Sequence, residues 1–154
     1  MSADGGRFYQ DVLGMELVRK SEHPAGKFTN FFLAFPSHEK SLPTRAEVES
    51  QKEGVSPMSD HQGLLELCWN WGTEHDPEFK GYVSGNEEPK GFGHIAISVD
   101  DIKDACDKFT EQGVRFKKRP EEGSMKNIAF ILDPDGMLSY GWANSRLLDR
   151  GFVD

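Results

Sequence analysis

The sequence predicts an α+β fold made of two similar modules, and three observations carry that expectation. Short runs of apolar and β-branched residues alternate with segments whose apolar residues recur at helical spacing. The same order of parts occurs twice: a helix ending in glycine, a short strand, a second strand and a third. Finally, 154 residues at 36% hydrophobic content are enough for one core, with no shift of composition that demands a second domain. The expected organisation is therefore a single domain over 1–154, with module 1 at about 7–70, module 2 at about 91–143 and a tail over 144–154.

In the repeat, Phe8–Leu17 corresponds to Phe109–Phe116, Phe31–Phe35 to Ile128–Leu132, and Leu64–Trp69 to Met137–Trp142. The second module opens with a strand before its helix. The first has only six residues ahead of Arg7 and nothing strand-like in them, so it is expected to miss its first strand. Modules of this shape can lay their strands into a curved sheet with helices outside, leaving a concave face for a ligand.

Taken in order, Phe8, Tyr9, Val12 and Leu13 fall on one side of a short helix over Arg7–Leu13, which Gly14 can end in a left-handed conformation. Met15–Lys20 and Phe28–Phe35 read as strands, with Ser21–Lys27 as the turn because Pro24 and Gly26 lie inside it. Pro36–Gln62 shows no sustained apolar period and reads as a long surface excursion. Leu64–Trp69 resumes as a strand with Glu66 in its middle, and Asn70–Lys90 is again irregular.

Gly91–Val99 is the stretch around which the chain is organised: a glycine-rich turn, then a buried strand with His94 near its start, stopped by Asp100 and Asp101. Ile102, Ala105, Cys106 and Phe109 then recur at i, i+3, i+4 and i+7, which is one buried helical face, and Gly113 ends it. Val114–Lys118 and Asn127–Leu132 are strands. Asp133-Pro134-Asp135-Gly136 is a turn leading to a last strand at Met137–Trp142.

Charge narrows the function. A net charge of −8 argues against nucleic acid as a partner, because phosphate binding needs a dense basic face, and Arg115, Lys117, Lys118 and Arg119 read as a solvated strand face or, failing that, a place for a small anionic ligand. Cys68 and Cys106 share no CxxC spacing, which favours a reducing compartment. With no apolar run of membrane length or signal-peptide character, the expected protein is soluble and cytoplasmic, without a membrane partner.

Two residues stand out chemically. A carboxylate at Glu66, among Leu64, Leu65 and Leu67, must face solvent, find a partner or bind a cation. His94 is either a core or turn histidine satisfied by a backbone carbonyl, or a ligand. Imidazole with carboxylate suits zinc or nickel, an ion that polarises a carbonyl while a carboxylate moves a proton. In the repeat, Glu66 falls opposite Tyr140, which reads as an aromatic packed beside Trp142.

The strings Phe8-Tyr-Gln-Asp-Val-Leu-Gly-Met15, Leu65-Glu-Leu-Cys-Trp-Asn-Trp-Gly-Thr-Glu74, Gly85-Asn86, Pro89-Lys-Gly-Phe-Gly-His-Ile95 and Ala129-Phe-Ile-Leu-Asp-Pro-Asp-Gly136 resemble glyoxalase I, the lactoylglutathione lyase of eukaryotic type, over Phe8 to about Trp142. The resemblance implies paired βαβββ modules of the vicinal-oxygen-chelate fold, a homodimer, and zinc or nickel. It also implies isomerisation of the glutathione–methylglyoxal hemithioacetal to S-lactoylglutathione through an enediolate. By it, Glu66 and His94 match two of four metal ligands, with Glu66 also the remaining candidate base. The third belongs to the missing strand, and Tyr140 holds the place of the fourth. Asn70, Lys90, Arg119 and Met125 match residues that contact glutathione. Two readings follow: a lyase resting on Glu66 and His94, or a homologue that binds a glutathione conjugate or serves as a partner subunit without turnover.

Overall fold

The computed structural model describes residues 6–36, 42–50, 63–136 and 139–144. The chain divides into two compact units, Met1–Lys80 and Gly81–Asp154.

In the first unit, helix α1 (Phe8–Val12) is wound in the wider π geometry, with Phe8 and Tyr9 buried. It ends as expected, because Gly14 takes φ +75° and its N–H donates to the Gln10 carbonyl at 3.1 Å. Strands β1 (Glu16–His23), β2 (Phe28–Ala34) and β3 (Leu65–Asn70) form an antiparallel sheet in that order. β1 runs further than the sequence suggests: Ser21 and His23 belong to the strand, not the turn. The turn shrinks to Pro24–Gly26 plus Lys27 at φ 53°, and stacking of His23 on Phe28 at 4.5 Å extends the pairing. A bulge at Val18 re-phases β1, so that Arg19 pairs with Phe32, Ser21 with Asn30 and His23 with Phe28.

Part of Pro36–Gln62 is not an irregular excursion, since Arg45–Ser50 forms helix α2, whose buried Val48 accompanies its packing against β1. Its signal is a capping box rather than an apolar period. The Thr44 hydroxyl and N–H each donate to Glu47 Oε2 at 2.7 Å, and the Glu47 N–H donates back to Thr44 Oγ1 at 3.4 Å. Replacing Thr44 with alanine is expected to lower stability by about 1 kcal/mol, read as a shift of the urea midpoint. The Thr44 hydroxyl, then its N–H, holds the Glu47 carboxyl below the usual range. A depressed folded value means this support is present above the unfolded carboxylate pKa and fades as pH falls through the folded one, so the Thr44→Ala difference should shrink in acid.

In the second unit, β4 (Ala96–Val99), α3 (Ile102–Glu111), β5 (Arg115–Lys118), β6 (Ile128–Leu132) and β7 (Ser139–Asn144) follow one another as strand, helix and three strands. Their sheet order is β4-β7-β6-β5, with β4 parallel to β7 and the other pairs antiparallel. Asp101 caps α3 through its side chain, Cys106 and Phe109 are buried on it, and Gly113 follows at φ 71°. α3 packs against β6 and β7, and Ala129 and Ile131 of β6 are fully buried. Burial pushes the Cys106 thiol up, consistent with a packing role. The Asp133–Gly136 turn closes as expected, the Gly136 N–H donating to the Asp133 carbonyl at 3.0 Å.

The order of helix and three strands recurs in the two units. β7 is flanked by β6 and β4, whereas β3 has β2 alone beside it among the described residues. Among the described residues, α1 is thus followed by the sheet strands β1, β2 and β3, and β4 and α3 by β5, β6 and β7.

Candidate functional site

Alternation along β3 buries Leu67 and exposes Glu66, Cys68 and Asn70 on the opposite face. Of the outcomes open to Glu66, the structure shows a partner. Asn30 of β2 donates from Nδ2 to Glu66 Oε1 at 2.6 Å. The register explains the reach: Asn30 pairs with Cys68 and Glu66 with Phe32, so the two side chains are diagonal neighbours on one face. Asn30 was not singled out by the sequence, although it is the lone amide within the apolar run Phe28–Ala34.

His94 is not within a strand, contrary to expectation, since β4 starts only at Ala96. It stands at the end of a loop closed by other means. The Gly91 N–H donates to the Gly85 carbonyl at 3.0 Å, Asn86 Nδ2 to the Gly93 carbonyl at 2.7 Å, and Lys90 Nζ to the Asn86 carbonyl at 2.6 Å. The His94 ring meets Phe130 of β6 edge-on, with centroids 5.6 Å apart. Phe130 alternates with the buried Ala129 and Ile131, which places His94 on the more open side of the β6 strand.

The remaining residues lie apart in role. Asn70 ends β3 where a tight turn begins: its carbonyl accepts from the Thr73 hydroxyl at 2.9 Å. Trp71 donates from Nε1 to the buried Thr29 hydroxyl at 2.8 Å, and Glu74 Oε2 accepts from the Gly72 N–H at 3.1 Å and Trp69 Nε1 at 3.3 Å. The Asn-Trp-Gly-Thr-Glu string is thus a device that fixes the end of β3. Lys90 is committed to the His94 loop. Arg119 lies over the Phe116 ring, its guanidinium carbon 3.9 Å from the centroid, and donates to the Thr110 hydroxyl at 3.1 Å. Met125 is half exposed, and its carbonyl accepts from Lys118 Nζ at 2.7 Å. The Tyr140 side chain lies outside the described residues; its backbone pairs with Ile131.

The oxygen and nitrogen donors of Glu66 and His94 suit a borderline divalent ion in kind. In number they fall short, since no three His, Cys, Asp or Glu side chains cluster among the described residues.

A strand–helix–three-strand module in one unit and a helix followed by three strands among the described residues of the other, each with a more open sheet side, define a vicinal-oxygen-chelate type of protein. The chain belongs to the glyoxalase/bleomycin resistance protein/dioxygenase superfamily, whose profile matches residues 5–139. It is 46% identical over 128 residues to a lactoylglutathione lyase of Schizosaccharomyces pombe, covering 82% of this chain, and 43% identical over 131 residues to glyoxalase I of Saccharomyces cerevisiae, covering 84%. It spans only 36% and 37% of the lengths of those relatives. Its structure is similar to the trypanothione-dependent glyoxalase I of Leishmania major, with a TM-score of 0.63 and 25% identity, covering 97% of this chain and 83% of that one.

Proposed function

We propose that this chain is a glyoxalase I module that binds a glutathione-derived conjugate, with Glu66 and His94 as its chemical groups and with little or no lyase turnover of its own. The observation that carries the reading is Glu66, a carboxylate on the open sheet face held in one orientation by the Asn30 amide. A free carboxylate rotates, whereas one restrained by a charge-assisted hydrogen bond is set for metal coordination or proton transfer. In the family reaction, a proton leaves one carbon of the hemithioacetal and returns to its neighbour, and Glu66 is the group present to handle it. A homodimer in the cytoplasm belongs to the same proposal.

Low turnover is supported by the residues matched to the family. Tyr140 stands where a ligating glutamate is expected, and an un-ionised phenol is a poor ligand and base at neutral pH. The test is S-lactoylglutathione formation by the full chain loaded with zinc or nickel, alongside calorimetry with S-methylglutathione. Conjugate binding without turnover is the expected result. Turnover within about tenfold of a typical enzyme's ~10 s⁻¹ overturns the low-activity reading. Absence of both activity and conjugate binding overturns the glutathione reading itself and favours a partner-subunit role.

A further inference from the structure

We propose that Glu74 is the positioning residue for Asn70: its carboxylate sets the end of β3 so that the Asn70 amide meets the glutathione conjugate, a role that rests on the glutathione reading above. Asn70 stands where strand pairing stops. It is the last residue of β3, it pairs with Phe28 of β2, and the chain then turns through Gly72 at φ 92°. Glycine holds such an angle without a steric cost and is equally free to leave it, so the turn depends on side-chain ties. Glu74 supplies two of them with one oxygen. Its Oε2 accepts from Trp69 Nε1 at 3.3 Å, on the residue before Asn70, and from the Gly72 N–H at 3.1 Å, beyond it. The carboxylate therefore clasps the chain on both sides of Asn70.

The clasp acts through the other side of the strand. Alternation along β3 sets Trp69 with the buried Leu67, and Asn70 with Glu66 and Cys68. The N–H of Glu74 first, then the Trp69 indole, His75 and the Gly72 N–H, hold the carboxyl below the usual range against its partial burial. It is thus ionised at neutral pH and only accepts. Other ties keep the turn in place: the Trp71 N–H donates to the Lys27 carbonyl at 2.9 Å, and its indole donates to the Thr29 hydroxyl at 2.8 Å. Loss of Glu74 leaves those ties intact and frees Trp69 and Gly72. The short asparagine side chain follows its backbone, and a displacement of about 1 Å is enough to spoil its hydrogen bond to a ligand.

The test is a double-mutant cycle on the full chain, read by calorimetry with S-methylglutathione. Glu74→Ala should weaken binding about three- to tenfold, the worth of one hydrogen bond. Glu74→Gln keeps an oxygen for both donors and should bind within about twofold of the wild type. Asn70→Ala should also weaken binding, and adding Glu74→Ala to it should cost nothing further, because the residue being positioned is gone. Should Glu74→Ala fail to fold, Trp69→Phe, which removes the indole donor, takes its place with a smaller loss expected. Should Asn70→Ala bind too weakly to titrate, the Asn70 side-chain amide resonance is read instead: saturating conjugate should shift it less in Glu74→Ala than in the wild type and Glu74→Gln. A lower urea midpoint with unchanged conjugate affinity marks a merely structural role and overturns the proposal. So does an equal loss with Asn70 present and absent, or an equal resonance shift. In those cases binding of S-methylglutathione by the wild type leaves the glutathione reading standing. If the wild type does not bind it, that reading falls and takes the inference with it.

Discussion

Gly85→Ala is expected to open the loop that presents His94. A Cβ at Gly85 would sit 2.2 Å from the Phe92 carbonyl oxygen and 2.3 Å from the Gly91 carbonyl carbon. Both obstacles are backbone, so no side-chain rotation relieves them, and the segment Gly91–Gly93 must move away. Three hydrogen bonds close this loop: Gly91 N–H to the Gly85 carbonyl, Asn86 to the Gly93 carbonyl and Lys90 to the Asn86 carbonyl. The first runs between the separated strands of the loop and is lost outright. Overpacking of this kind costs about 1–3 kcal/mol, a large share of a local structure that has few apolar contacts. The readout is amide hydrogen exchange: Gly91 should lose its protection in the variant, while Ile131 in β6 keeps its own. Unchanged protection at Gly91 would contradict the loop architecture. Asn86→Ala should show a weaker form of the same change, because it removes one of the three bonds without a clash.

Ile131→Ala carries the largest expected loss of stability, about 2–5 kcal/mol. Ile131 is fully buried in β6, a strand flanked on both sides by β5 and β7 and packed upon by α3. Removing most of its side chain there deletes apolar burial and leaves a cavity, and the paired strands on either side restrict the collapse that would refill it. Because a domain is stable by only about 5–15 kcal/mol, the variant should show a much lower urea midpoint or fail to fold at moderate temperature. Ile131→Val, which removes one methylene, should cost only about 0.5–1.5 kcal/mol. A ratio near unity between the two variants would mean that the site is not a packed core position.

The helix α3 and the duplicated order of strands were legible because they depend on local rules. Ile102, Ala105, Cys106 and Phe109 repeat at the helical period, Asp101 is a capping residue, and Gly14 and Gly113 take the left-handed conformation that glycine adopts without a Cβ penalty. Glu66 was legible too, as a carboxylate out of place among leucines. Helix α2 is not legible because its six residues, Val48 buried among them, carry no apolar period, and only the Thr44–Glu47 pair marks its start. The true end of β1 is not legible because Pro24 and Gly26 dominate the local signal, while His23 is held in the strand by stacking on Phe28.

What the sequence by itself determined is helix α3, the repeated order of strands, and Glu66 as a carboxylate out of place among leucines. Each follows from side-chain period, capping or an anomalous charge, all of which act between near neighbours along the chain. Only the tertiary structure decided their surroundings. Asn30 and Glu66 are 36 positions apart and meet through the β2–β3 register, the Val18 bulge turns Ser21 and His23 onto the same face, and Asn86 closes the His94 loop across seven residues. Strand register and loop closure depend on long-range pairing that no local pattern encodes, and they determine what surrounds the Glu66 carboxylate and the His94 imidazole.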